Sequence, residues 1–358
     1  MIKKMIIGLI LCLAFTIGCK KETGVLVPGT TVEPTNINAT MNNELQVFTT
    51  KCLSAKYALL VNTTADVKSL DGFYVASKDA SSEASLIIDQ REGLAKSNFA
   101  YTDFKVVVSI FDIKQLGKQI SYNATEHYTL TSNQPDPDRP STFIQPEGFY
   151  QHSYTVVRTG TSFKLVNETC NDQPWAFNAN PTMVKIPADS FANTEESAKY
   201  AYNATAAVNF AYAHWSSVPG SPYYDFTNLG GDCTNFLNWS LLSAGWVMNS
   251  NWHYYSLSNR SACWTGANNF KTYVLSSGRI YSACYVPSSL SVGDILQADW
   301  YPANGVVDHS MLVTKKVGSL IYLTYRSNNT KDKPMNQLPS NASYYGWHVK
   351  ASANKMYN

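Results

Sequence analysis

The chain has 358 residues, of which 15% are charged, and its formal net charge is +2. A charge so sparse and balanced gives no electrostatic reason to bind nucleic acid. The length and a 44% hydrophobic content are enough for two domains with packed cores.

At the start, Met1-Ile2-Lys3-Lys4 precedes an apolar run from Met5 to Ile17, then Gly18-Cys19. A basic start, a short apolar centre and a small residue at the cut predict a signal peptide over residues 1–18. The run is too short for a membrane span. Thr16-Ile17-Gly18-Cys19 resembles a bacterial lipobox, although Thr16 stands where leucine is usual. On that reading Cys19 is acylated and the protein is exported to the cell envelope, held at a membrane by its lipid. The alternative is plain secretion with cleavage nearby. Loss of Lys3 and Lys4 with the signal takes the net charge from +2 to about zero. Asn-X-Ser/Thr triplets such as Asn62-Thr63-Thr64 then reflect composition rather than glycosylation.

Residues 19–42, with Pro28, Gly29 and Pro34, read as a tether. Residues 43–170 read as an α+β accessory domain. Helices are predicted over 43–60 and 82–97, and strands over 104–113, 118–130, 151–158 and 162–169. The last two strands are joined by a turn at Thr159-Gly160-Thr161. Helices followed by an antiparallel meander are similar in order to a cystatin-like or NTF2-like cone. Asn133 to Gly148, rich in Pro and Asp, reads as a loop, and Glu126-His127 as an exposed face of a strand. This domain shows no catalytic constellation in its sequence. Residues 171–193, with Pro174, Pro181 and Pro187, read as a linker.

The last region, 194–358, opens on a helix capped by Thr194 or Asn203 and running to about Trp215. Gly230-Gly231-Asp232-Cys233-Thr234-Asn235-Phe236 then leads into a helix from Thr234 to Ala244, with Gly245 as its stop. Phe236, Leu237, Leu241 and Ala244 form the stripe it buries, while Asn238 and Trp239 fall outside it. A cysteine at a helix start feels the positive end of the dipole and unpaired N–H groups, both of which favour the thiolate. Gly293-Asp294-Ile295-Leu296-Gln297 opens a strand. Asp308-His309-Ser310-Met311-Leu312-Val313-Thr314 is the next, after a turn from Tyr301 to Val307. A helix cysteine followed by a strand histidine is the order of papain-like sites. The intervening Trp252, Tyr254, Tyr255 and Trp264 are core residues or the lining of a cleft.

These motifs resemble the putative amidase family related to the NlpC/P60 and CHAP hydrolases, which have a papain-like α+β fold. The resemblance runs from Tyr223-Tyr224-Asp225-Phe226 through the Cys233 motif, Tyr254-Tyr255-Ser256-Leu257, Trp264-Thr265-Gly266, Gly293-Asp294-Ile295 and Asp308-His309-Ser310 to Pro334-Met335. It implies a cysteine hydrolase of amide bonds, with Cys233 as nucleophile, His309 as base and a peptide or peptidoglycan-like substrate. The Cys233 N–H and a second donor, Tyr223 or Tyr224, would meet the oxyanion. The family's third polar residue belongs on Ile321 to Asn328, where Arg326 stands in place of a histidine. Arginine has no acceptor for an imidazole N–H, whereas Asn328, on the same face of a continuous strand, has one. Asp308 should face the other side of the sheet. The rival reading is a catalytically silent binding module that keeps the fold.

Of seven cysteines, Cys12 leaves with the signal and Cys19 carries lipid, so five remain. An odd number in an exported protein points to one free thiol, Cys233, with Cys52–Cys170 and Cys263–Cys284 as a hypothetical pairing. Cys52 equally fits an apolar helical stripe with Leu45, Phe48, Ala55 and Leu59. The cysteine and histidine spacings fit no metal site, and the chemistry needs no cofactor.

Overall fold

The computed structural model describes residues 39–191, 201–300 and 304–350. The segment read as a signal peptide, Cys19, Thr194 and Tyr301 lie outside the described residues. The architecture is α+β.

Two helices, α1 (Ala39–Val61) and α2 (Ser77–Ala95), lead the accessory region. α1 buries Leu45, Phe48, Cys52, Lys56, Leu59 and Leu60, recurring every three or four residues along one face. Both pack on an antiparallel meander of β1 (Tyr101–Leu116), β2 (Gln119–Ser132), β5 (Glu147–Thr159) and β6 (Ser162–Cys170). Along β2 every second residue from Ile120 to Ser132 is buried. Glu126 falls in that row, so it is a core residue and not part of an exposed face. His127 points the other way and meets Glu147 at 2.9 Å.

The Pro/Asp-rich segment holds a small hairpin, β3 (Pro135–Asp136) and β4 (Arg139–Phe143). Short β7 (Thr182–Met183) lies in the segment read as a linker. The rest comprises α3 (Ala204–His214), α4 (Cys233–Ser243), α5 (Ala262–Thr265) and α6 (Ala267–Ser276). With them come β8 (Ile280–Cys284), β9 (Ile295–Asp299), β10 (His309–Val317), β11 (Leu320–Tyr325), β12 (Thr330–Pro334) and β13 (Ser343–Val349).

The two regions share one sheet. Its order is β1-β2-β5-β12-β11-β10-β9-β13-β7, with β6 also on β5 and β8 also on β13. The join is antiparallel pairing of Glu147 and Gly148 with Lys331 and Thr330. Tyr322 of β11 lies in the accessory core. The β3–β4 hairpin adds a buried ion pair, Asp136 Oδ1 to Lys315 Nζ at 2.8 Å. The segment expected to link two domains is packed against both. Trp175 Nε1 donates to Glu83 at 2.8 Å, and Asn178 N donates to the Asn336 carbonyl at 2.8 Å.

α4 ends as its sequence predicts, at Gly245 with φ of 102°. Its N-terminus is fixed by a buried polar chain. Thr234 Oγ1 meets Ser310 Oγ at 2.9 Å, Gln297 Nε2 donates to that same oxygen at 2.9 Å, and Trp347 Nε1 donates to Gln297 Oε1 at 3.0 Å. Each link satisfies a polar group that burial would otherwise penalise. Together they lock α4 against β10, β9 and β13.

Candidate active site

Cys233 is the first residue of α4, and its sulfur lies 4.0 Å from the Asp308 carbonyl on the approach to β10. His309, the first residue of that strand, lies near enough to the thiol to act on its charge. Burial alone would push the thiol up. The His309 charge, the Ser310 N–H and the Thr234 hydroxyl outweigh it and leave Cys233 below its ordinary value. The sequence-predicted pair is therefore brought together.

Gly230 and Gly231 make the entry, with φ of 103° and 112°. A side chain there would be strained, and a Cβ on Gly231 would also stand 3.1 Å from Ser327 Oγ. That hydroxyl in turn accepts from the Asp232 N–H at 2.9 Å.

Asp232, just before Cys233, is fully buried. Its Oδ1 accepts from Phe226 N at 3.0 Å and Asn235 Nδ2 at 2.8 Å, and its Oδ2 from the Tyr223 hydroxyl. Arg326 Nε lies 3.0 Å from Oδ2 as an ion pair, without the alignment of a hydrogen bond. The guanidinium also reaches Asp225 Oδ2 at 3.0 Å and the Ser217 carbonyl at 2.9 Å. Burial raises the Asp232 carboxyl above its usual value, and Tyr223, the backbone and Arg326 only partly oppose this.

Three expectations change here. Tyr223 spends its hydroxyl on Asp232, so it braces the neighbour of Cys233 instead of meeting an oxyanion. Tyr224 packs its ring on Phe226, 4.9 Å between centroids, and its carbonyl holds Asn235 at 2.9 Å. Neither tyrosine lines the cleft over Cys233. β11 ends at Tyr325, and Arg326 to Asn329 form a turn with φ of 88° at Ser327 and 35° at Asn329. The alternation of a continuous strand therefore does not reach Asn328. Its Oδ1 accepts from Asn171 Nδ2 at 3.0 Å, on the cleft wall. His309 Nε2 is buried and has no hydrogen-bond partner among the described residues. The ring is held by packing: Tyr325 meets it edge-on at 4.8 Å, and Trp300 lies 5.7 Å away.

The cleft has a volume of about 620 Å³. Cys233, His309, Trp300 and Tyr325 form one side. Cys170, the last residue of β6, with Asn171, Asp172 and Gln173 just after it, forms the other. That second wall was invisible in sequence, because the sheet join brings it there. Asp172 is anchored by Lys333 at 3.3 Å. Trp252, Tyr254 and Trp264 are core residues, and Tyr255 is exposed away from the cleft. Asn238 is buried against α5, where it holds the Cys263 and Trp264 carbonyls at 3.0 and 2.9 Å.

Cys52, Cys170, Cys233, Cys263 and Cys284 are all free thiols, so neither hypothetical disulfide is present. Among the described residues no cluster of His, Cys, Asp and Glu is placed to hold a metal, and no helix is long and apolar enough to cross a membrane.

Residues 201–349 match the family model described as "Putative amidase domain", which supports a hydrolase-like function. An uncharacterized protein of Bacillus subtilis strain 168, YjcM, is 24% identical over 180 residues. That alignment takes in 47% of this chain, which spans only 40% of that relative's length. Among solved structures, the intermembrane space region of the chloroplast protein ARC6 is 13% identical, covering 36% of this chain and 95% of its own, with a TM-score of 0.27. An NTF2-like protein involved in plasmid conjugation is 9% identical, covering 88% of this chain and 99% of its own, with a TM-score of 0.22.

Proposed function

We propose that this chain is an exported, lipid-anchored cysteine hydrolase that cleaves an amide bond, with cell-wall peptides as the substrate class and a papain-like relation to the NlpC/P60 and CHAP hydrolases. The observation that carries the reading is the buried Cys233 thiol at the start of α4, lowered by nearby His309, at the floor of an open cleft. The Cys233 sulfur attacks the amide carbonyl and a thioester forms. His309 takes the thiol proton, gives it to the leaving amine, then activates water against the thioester. The N–H groups of the first turn of α4 stabilise the oxyanion. Cys19 carries the lipid that holds the enzyme at a membrane of the cell envelope.

A second reading is a silent binding module. The observation that favours it is His309 Nε2, which finds no acceptor to hold its tautomer. The test is incubation with peptidoglycan fragments and a peptide-amide panel, read by mass spectrometry, beside Cys233→Ala. The enzyme reading requires cleavage by the parent and none by the folded variant. Equal turnover by both, or none by either across the panel, contradicts it.

A further inference from the structure

The accessory region holds a second cysteine–histidine pair. β5 and β6 set His152 directly opposite Cys170 in their antiparallel register. Side chains so paired leave the same face with Cβ atoms about 4.5–5.5 Å apart. His152 is almost wholly buried, with Nε2 2.9 Å from Glu126 Oε2. Its Nδ1 lies 3.1 Å from Glu168 Oε1, off the line of a hydrogen bond, and Cys170 is among the neighbours that favour the charged ring. Tyr57 holds Glu126 at 2.5 Å, and Lys56 holds Glu168 at 2.6 Å. Burial opposes a charged imidazole here. Cys170, Glu126 and Glu168 prevail and raise His152 to about 11, so the ring is an imidazolium.

The other thiols outside the catalytic pair lack one ingredient or another. Cys284 also neighbours a histidine, but it is 1% exposed and spends its sulfur on the Val286 carbonyl and Ser289 at 2.8 and 3.0 Å. Cys52 is buried in α1 and pushed up to about 12. Cys263 is bound to the Asn251 carbonyl at 3.0 Å. Cys170 is half-exposed. It lines the catalytic cleft and also a cavity of about 420 Å³ with His152 and Glu168 in its wall.

We propose that Cys170 is a second nucleophilic thiol, that it exchanges with low-molecular-weight disulfides, and that the mixed disulfide it forms closes the cleft over Cys233. Cys170 gives its proton to solvent and its sulfur attacks one sulfur of the reagent. The reagent's S–S bond breaks, a Cys170–sulfur bond forms, and the departing thiolate takes up a proton. The reagent is the oxidant and no other is needed. His152 is already charged and accepts no proton. Its role is to stabilise the attacking thiolate. The group added to Cys170 stands in the space that Cys233 and His309 face. The exchange chemistry is independent of the proposed hydrolase activity, and only the consequence for substrate rests on that reading.

The test treats the full chain with oxidised glutathione and maps each thiol by mass spectrometry, in the parent and on a Cys233→Ser background. Cys170 should be modified at least about tenfold faster than Cys52, Cys263 or Cys284, and His152→Gln should remove most of that advantage. Equal rates among these four thiols in the native parent overturn the proposal, whether or not His152→Gln folds. Closure is read without any substrate. In the parent, prior glutathionylation should slow iodoacetamide labelling of Cys233, a reducing agent should restore it, and Cys170→Ser should abolish the effect. Unchanged labelling of Cys233 in a protein modified at Cys170 overturns the closure.

Discussion

Arg326 Nε lies 3.0 Å from Oδ2 of Asp232, the residue immediately before Cys233. Both side chains are buried, so the pair fixes the backbone that presents Cys233. Removing one partner leaves a buried charge without compensation, which costs about 3–5 kcal/mol. Arg326→Met should lower the urea midpoint accordingly. Arg326→Lys should recover only part of it, since one ammonium cannot serve Asp225, Asp232 and the Ser217 carbonyl together. An unchanged midpoint for Arg326→Met would remove this positioning role.

Asn328 is expected to act on substrate binding rather than on proton transfer. Its amide pairs with Asn171 on the cleft wall and is no hydrogen-bond partner of His309 Nε2. Asn328→Ala should raise KM several-fold on any substrate the parent cleaves, with kcat within about threefold. A loss of tenfold or more in kcat at unchanged KM would restore the orienting role that the sequence assigns to it.

How much was legible follows from what each pattern depends on. Local periodicity is enough for α4, its buried stripe and the strand beginning at His309, so both members of the Cys233–His309 pair are readable. The glycines before Cys233 are readable too, because positive φ demands them. Asn328 misleads because β11 stops at Tyr325, and strand alternation carries no notice of where pairing ends. Glu126 beside His127 reads as surface because charged residues are rarely buried, and its partners His152 and Tyr57 are distant in sequence. Asn171 to Gln173 join the cleft through the pairing of β5 with β12 and the contacts to Asn328 and Lys333, long-range contacts that no local pattern encodes.

The same accessory network should leave a mark on stability against pH. Burial opposes the charge of Glu168, but Lys56 and His152 lower it from 4.5 to about 2, so its contribution is present above pH 4.5 and lost as pH falls through 2. His152 is raised from 6.5 to about 11, so its contribution is present below pH 6.5 and lost as pH rises through 11. Both are complete only between pH 4.5 and 6.5. The Tm difference between the parent and Glu168→Gln should be largest in that window and shrink on either side. A difference independent of pH would mean that these groups are not coupled to folding.

Cys19→Ala should move the protein from the membrane fraction to the soluble fraction, because one acylated cysteine is the anchor the sequence offers. Identical fractionation of variant and parent would remove the lipid anchor from the proposal.

The central claim is that Cys233 is a nucleophile activated by His309, and the most direct measurement is the site-resolved alkylation rate of Cys233 by iodoacetamide across pH. The parent should show a thiol that titrates below the ordinary value of 9.0 and reacts at neutral pH faster than a free cysteine. In His309→Gln the profile should move upward in pH and the neutral rate should fall about tenfold or more. A Cys233 that titrates at or above the ordinary thiol value, with a profile unmoved by His309→Gln, would contradict the account.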